Sequence, residues 1–234
     1  MRDSMDGCAR SLLVGSRAFT RGNLRHAVRR ASPGDFSERG FELALRERLR
    51  RGPLRGLLPS PCLWRVRPLP PEWDAYFPRA ILLVDRPAIL DLFVASGALA
   101  ATRLAIVCID GRPGHVIAWL RRGLRAGRRA PVLYLHDAAT VAYPFAFEPL
   151  ATAVRHGGEP LRFRDLGLLP TGVSSRRFRD PSLPAGEVVR DLEAVHPATL
   201  VAYAVRRALR VVPGDPNMSP LARKAAGSLE ARRT

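Results

Sequence analysis

The chain has 234 residues, 47% of them hydrophobic, and carries a formal net charge of +17 at a pI of about 11.5. This length and apolar content exclude a disordered polymer and accommodate one large domain, or one domain with arms. The charge points to an anionic partner such as DNA or RNA, yet Lys224 is the only lysine and Arg, Ala, Gly and Pro abound; codon bias in a GC-rich genome raises charge in this way without selection for binding. Cys8, Cys62 and Cys108 are odd in number and widely spaced, which excludes a zinc ribbon and a disulfide framework and fits a cytoplasmic location. The N-terminal "MRDSMDGCARSLLVG" has too short an apolar run for a signal peptide. The apolar region 80–109 is broken by Asp85, Arg86, Asp91 and Arg103, so no membrane association is expected.

Composition divides the chain into four parts. Residues 1–78 are rich in Arg and Pro, and periodicity predicts one helix there, "SERGFELALRERLRR", with Ser37 as N-cap and Phe41, Leu45 and Leu49 on one face. The following "LPSPCLWRVRPLPPEWDAYFP" holds six prolines and reads as an extended connector, with Trp64, Trp73, Tyr76 and Phe77 to pin it to the next domain. Residues 79–170 change character: "AILLV", "LAIVCI" and "PVLYL" read as buried strands, and "PAILDLFVASGAL" and "GHVIAWLRRGLRAG" as the helices between them. A helix near 145–155 and a fourth strand at "LRFRDLG" complete the pattern. Strands alternating with helices predict an α/β fold, a Rossmann-like, mostly parallel sheet with helices on both faces. Residues 171–212 are expected to form a loop and two C-terminal helices. The second of these opens with Pro197, places Leu200, Ala204 and Ala208 inward, and leaves Arg206, Arg207 and Arg210 on a basic face. Residues 213–234 read as a flexible tail.

Parallel sheets build their sites at the carboxyl ends of strands. Three acids fall there: Asp85, Asp110 and Asp137. Converging carboxylates suit Mg²⁺, a hard cation that prefers oxygen ligands. Acids at strand ends also serve as N-caps and turn formers, so both roles stay open for each. "CIDGRPGH" offers Gly111 and Gly114 between a strand and a helix start, as a phosphate cradle or as a plain tight turn. His136 borders Asp137 and suits either a site or a structural hydrogen bond. Arg121, Arg122, Arg125, Arg128 and Arg129 form a basic series suited to nucleic-acid phosphates.

Three of these segments, "VDRPAI" at 84–89, "CIDGRP" at 108–113 and "HDAA" at 136–139, occur in the order and at about the spacing of a Toprim domain. The chain here resembles that metal-binding domain of topoisomerases, primases and related nucleases. It is closest in flavour to the C-terminal domain of Wadjet-type (JetD-like) plasmid-defence nuclease subunits, themselves related to the topoisomerase VI A subunit. The resemblance covers roughly residues 80–145. It implies a catalytic, metal-binding acid at Asp85 and a second at Asp137; Asp110 stays a third candidate metal ligand from its place at the end of a strand. Two departures stand out. The family's glutamate is replaced by the shorter Asp85, and its D-x-D becomes Asp137-Ala138-Ala139, which lacks the second acid. The resemblance therefore implies a nucleic-acid-associated protein with a degenerate site that holds Mg²⁺ weakly or not at all. Its expected role is a non-catalytic or partner-dependent component, bound to DNA or to another protein subunit, of a DNA-processing or defence system. Two other readings stay open: an active Mg²⁺-dependent, nuclease- or topoisomerase-type phosphodiesterase, and a Rossmann-like module for a phosphate ligand or protein partner.

Overall fold

The short branched runs form strands, because β-branched side chains lose little freedom on a pleated surface and pack well there. They are β1 (Ala80–Val84), β2 (Leu104–Cys108), β3 (Val132–Leu135) and β4 (Phe163–Asp165). A computed structural model describes residues 2–59, 78, 80–98, 102, 104–108, 131–138, 163–168, 172–174, 176, 178–181 and 183–211. The four strands make one parallel sheet in the order β2-β1-β3-β4, with Leu82 opposite both Ile106 and Leu133. Every side chain of the two central strands, β1 and β3, is fully buried, as continuous apolar runs in a parallel sheet require.

Helix α4 (Pro87–Ser96) follows β1 directly. Pro87 presets its first turn, and Gly97, at φ 73°, ends it in the left-handed conformation that a side chain disfavours. Its Ile89, Leu92 and Phe93 are buried in the same core as the strands. Helix α5 (Pro197–Val211) joins that core through Leu200, Ala204 and Ala208, one turn apart and fully buried, as their spacing predicts. The other expected C-terminal helix is not formed. In its place the chain makes β6 (Val188–Val189), antiparallel to β5 (Val173–Ser174) from the preceding loop, and then a 3₁₀ turn over Leu192–Ala194. Two adjacent valines favour the strand, and the Asp191 carboxylate accepts from the Glu193 N–H at 2.8 Å, which starts the turn.

The N-terminal region holds three helices where periodicity predicts one: α1 (Arg2–Leu12), α2 (Arg21–Ala31) and α3 (Glu38–Arg50). The first two are short and carry few apolar residues, so each offers only a brief apolar stripe. The capping box of α2 pairs Thr20 with Asn23, where the familiar pattern has Glu or Gln. Ser37 caps α3 as expected, accepting from the Gly40 N–H at 3.1 Å. Phe41 and Leu45 are buried, but Leu49, expected beside them, is 40% exposed. Two i+4 steps carry Leu49 about 80° around the helix from Phe41, and the core of this unit does not extend that far. Met5, Leu12, Phe19, Leu24, Val28, Phe41, Leu45 and Leu54 give this unit its own core, separate from the core around the sheet. Among the described residues no helix is long and apolar enough to cross a membrane. The predicted helices at 114–127 and 145–155, the central part of the proline-rich connector and the tail lie outside the described residues.

Candidate functional site

Strand order reverses between β1 and β3, so a crevice is expected outside their carboxyl ends. Asp85 follows β1 and Asp137 lies two residues beyond β3, and the fold brings them together: the Asp137 N–H donates to Asp85 Oδ2 at 2.9 Å. Asp110, the phosphate-cradle glycines Gly111 and Gly114, and the basic series Arg121, Arg122, Arg125, Arg128 and Arg129 lie outside the described residues.

Arg86 sits in the middle of this crevice. As N-cap of α4 its backbone is extended and its side chain caps nothing, which frees the guanidinium to reach across. One arm contacts Asp137 Oδ2 as an ion pair; the other lies 3.2 Å from Glu193 Oε2 and 3.5 Å from Asp191 Oδ1. Asp137 Oδ1 accepts the Leu192 N–H at 2.7 Å. Both acids of the 3₁₀ segment are held in turn by the N-terminal unit. His26 Nε2 is 3.0 Å from Asp191 Oδ2, Thr20 Oγ1 donates to Glu193 Oε1, and the Asn23 amide donates to the carbonyls of Glu193 and Val195 at 2.8 and 3.2 Å. Arg86 thus joins the sheet, the 3₁₀ segment and, through them, the helical unit. It also lines a cleft of about 250 Å³ together with Thr20, Arg21, Arg25, Asp91 and Glu193.

Burial raises the Asp137 carboxyl to about 7; the charges of Asp85 and Asp191 push the same way, and Arg86 and the Leu192 N–H oppose them. Burial raises Asp85 as well, against the Asp137 N–H and Arg86. Asp191 is also buried, yet the His26 hydrogen bond and the Arg86 charge win and hold it below the usual carboxylate range. For Arg86 burial opposes the charged form, but the carboxylates of Asp137, Asp191, Glu193 and Asp85 outweigh it and favour the charged guanidinium. One crevice therefore holds a readily protonated acid beside a firmly ionised one.

His136, on the far side of Asp137, has a structural role. Its Nδ1 lies 2.7 Å from the carbonyl of Asp137, its Nε2 3.1 Å from Asp165 Oδ1, and its ring packs on Tyr134 at 4.6 Å between centroids. Gly167 makes room for that ring: a Cβ there would overlap His136 at Cδ2 and Nε2. Because the ring is held on both nitrogens, it has little space to retreat. Gly167→Ala is therefore expected to destabilise the fold by about 1–3 kcal/mol, read as a lowered urea midpoint with an unchanged slope.

The described residues do not by themselves form a magnesium shell. Both oxygens of Asp137 are engaged, and among the described residues no group of three or more His, Cys, Asp or Glu side chains is arranged to hold a metal ion. Asp85 Oδ1 and the Tyr134 hydroxyl are buried and have no hydrogen-bond partner. The sequence pattern singles out Asp85 and Asp137 but passes over Arg86, Asp191, Glu193, Asn23 and His26. Arg86 lies inside the quoted "VDRPAI", yet its partners are 105 and 107 residues away along the chain, and no local spacing announces them. The chain matches no family model, no curated protein and no solved structure. What the fold and site define is a parallel α/β protein in which one strand-end acid, Asp137, is bound to an arginine of the same chain.

Proposed function

We propose that this protein is a Toprim-like, Rossmann-like nucleic-acid-associated component that works without catalysis of its own, or only with a partner subunit, in DNA processing or defence. One observation carries this reading. Asp85 and Asp137 meet at the strand-order reversal, where a catalytic cation would bind, but the Arg86 guanidinium engages Asp137 there. An arginine supplies positive charge but has no open coordination position for a reacting oxygen or water. The missing second acid of "HDAA" and the net charge of +17 support the same reading. A cytoplasmic location follows from it.

The unpartnered Asp85 Oδ1 favours a second reading, an active Mg²⁺-dependent phosphodiesterase, because a buried carboxylate oxygen without a donor is a natural cation ligand. One assay separates the two. Full-length protein is incubated with duplex DNA over a series of salt concentrations, with and without Mg²⁺, and binding and strand integrity are followed together. The proposed function predicts binding that weakens steeply with salt and leaves the DNA intact. Absence of binding at low salt would overturn it; Mg²⁺-dependent cleavage lost in Asp137→Ala would establish the second reading instead.

A further inference from the structure

We infer that the outward face of α3 is a docking surface for double-stranded DNA. The inference rests on the nucleic-acid reading above and locates the contact. Arg39, Leu43, Arg46 and Arg50 are all exposed. Their i, i+4, i+7, i+11 spacing puts them on one stripe of α3, opposite the buried Phe41 and Leu45. The stripe runs about 16 Å along the axis at 1.5 Å per residue.

What marks this face of α3 is that its three arginines are free, whereas Arg48 of the same helix pairs with Asp6. In α2, Arg21 and Arg25 pair with Glu42 and Glu38, Arg29 lies over the Phe36 ring, and Arg30 donates to the Ala194 carbonyl. In α5, Arg206 bonds its own helix and Arg207 covers Tyr203, which leaves Arg210 as a single exposed arginine without an ion pair or hydrogen bond among the described residues. By contrast, Arg39, Arg46 and Arg50 make no ion pair or hydrogen bond among the described residues. The acids beside the stripe are already neutralised: Glu42 pairs with Arg21, and Glu47 with Arg51. The face therefore presents three uncompensated guanidinium groups and, among them, a leucine that is 57% exposed.

Duplex DNA is the complement of that pattern. Its major groove is about 12 Å wide and admits an α-helix, with phosphates on both walls for the arginines and thymine methyl groups on the floor for an apolar side chain. The deep, narrow major groove of A-form RNA does not admit a helix. A single strand has no groove for one.

The test uses the full-length chain and the triple variant Arg39→Gln, Arg46→Gln, Arg50→Gln. Fluorescence anisotropy is measured with labelled duplex DNA of about two helical turns, the same DNA as a single strand, and duplex RNA, at several salt concentrations. Circular dichroism and thermal melting report the variant's fold, which substitutions at exposed positions leave intact. Loss of three phosphate contacts is expected to flatten the slope of log K against log salt by about 3 and to weaken duplex binding at least about tenfold. Equal affinity and slope in a folded variant, while the wild type binds, would overturn the inference and leave the nucleic-acid reading standing. Preference for single strands or duplex RNA would overturn it too. No wild-type binding at low salt would remove both.

Discussion

Arg86→Met is expected to destabilise the protein by about 3 kcal/mol, the lower end of what removing one partner of a buried ion pair costs. Methionine keeps most of the side-chain volume, so the loss is of charge and hydrogen bonding. It leaves Asp137, which is 3% exposed, and Glu193, which is 10% exposed, facing each other and Asp191 without the cation between them. The Arg86 side chain is 39% exposed, and solvent screening of that outer part keeps the effect from the top of the range. The same change loosens the attachment of the N-terminal unit, because Thr20, Asn23 and His26 grip the segment that Arg86 positions. Urea unfolding of wild type, Arg86→Met and Arg86→Lys checks this. Lysine restores the charge without the fork and should recover part of the loss. A methionine variant as stable as the wild type would show that the crevice does not depend on the guanidinium.

Stability is expected to fall as pH rises from about 4 to about 7, by up to about 4 kcal/mol from Asp137 alone. The sign follows from where the proton sits. In the unfolded chain Asp137 titrates near 3.9, whereas in the fold its pKa is raised to about 7. Between those values the folded state binds a proton that the unfolded state has released, so each step up in pH favours unfolding. Asp85, also raised, acts in the same direction. Asp191 acts in the opposite direction: its lowered pKa contributes stability above the ordinary carboxylate range, and this is lost in stronger acid as pH falls through the folded value. The two together predict greatest stability in mildly acidic solution. Asp137→Asn, which mimics the protonated acid, should flatten the fall between about pH 5 and pH 8 in urea midpoints. An equally steep fall in that variant would assign the pH dependence to other groups. In Arg86→Met the fall should extend to higher pH, since the cation that favours ionised Asp137 is gone.

Much of the fold was legible in the chain because its signals are local. A strand such as "AILLV" is a run of residues that each prefer the same backbone, and its β1 is where the pattern places it. The same holds for β2, β3, β4, α4 with Pro87 at its start, and α5 with Leu200, Ala204 and Ala208 one turn apart. Legibility fails where a helix draws its stability from distant packing. Helices α1 and α2 are hard to read in the chain because their stripes are brief and Asn23 stands where a longer capping residue is usual. The 3₁₀ turn at Leu192–Ala194 stands in the stretch before Pro197 where a helix is expected, because a short apolar–polar alternation fits both.

At the site, local order in the chain was enough to mark Asp85 and Asp137, since an acid at the end of an apolar run is visible without any knowledge of its neighbours. Only the folded chain decided what those acids do. Parallel pairing of β1 with β3 sets the two carboxylates against each other, and the return of the chain through residues 190–195 supplies Asp191, Glu193 and the Leu192 N–H around Arg86. Charge interactions act through space and burial, and neither is written in residue spacing. An acid that reads as a metal ligand in sequence therefore became, in three dimensions, the buried partner of an arginine.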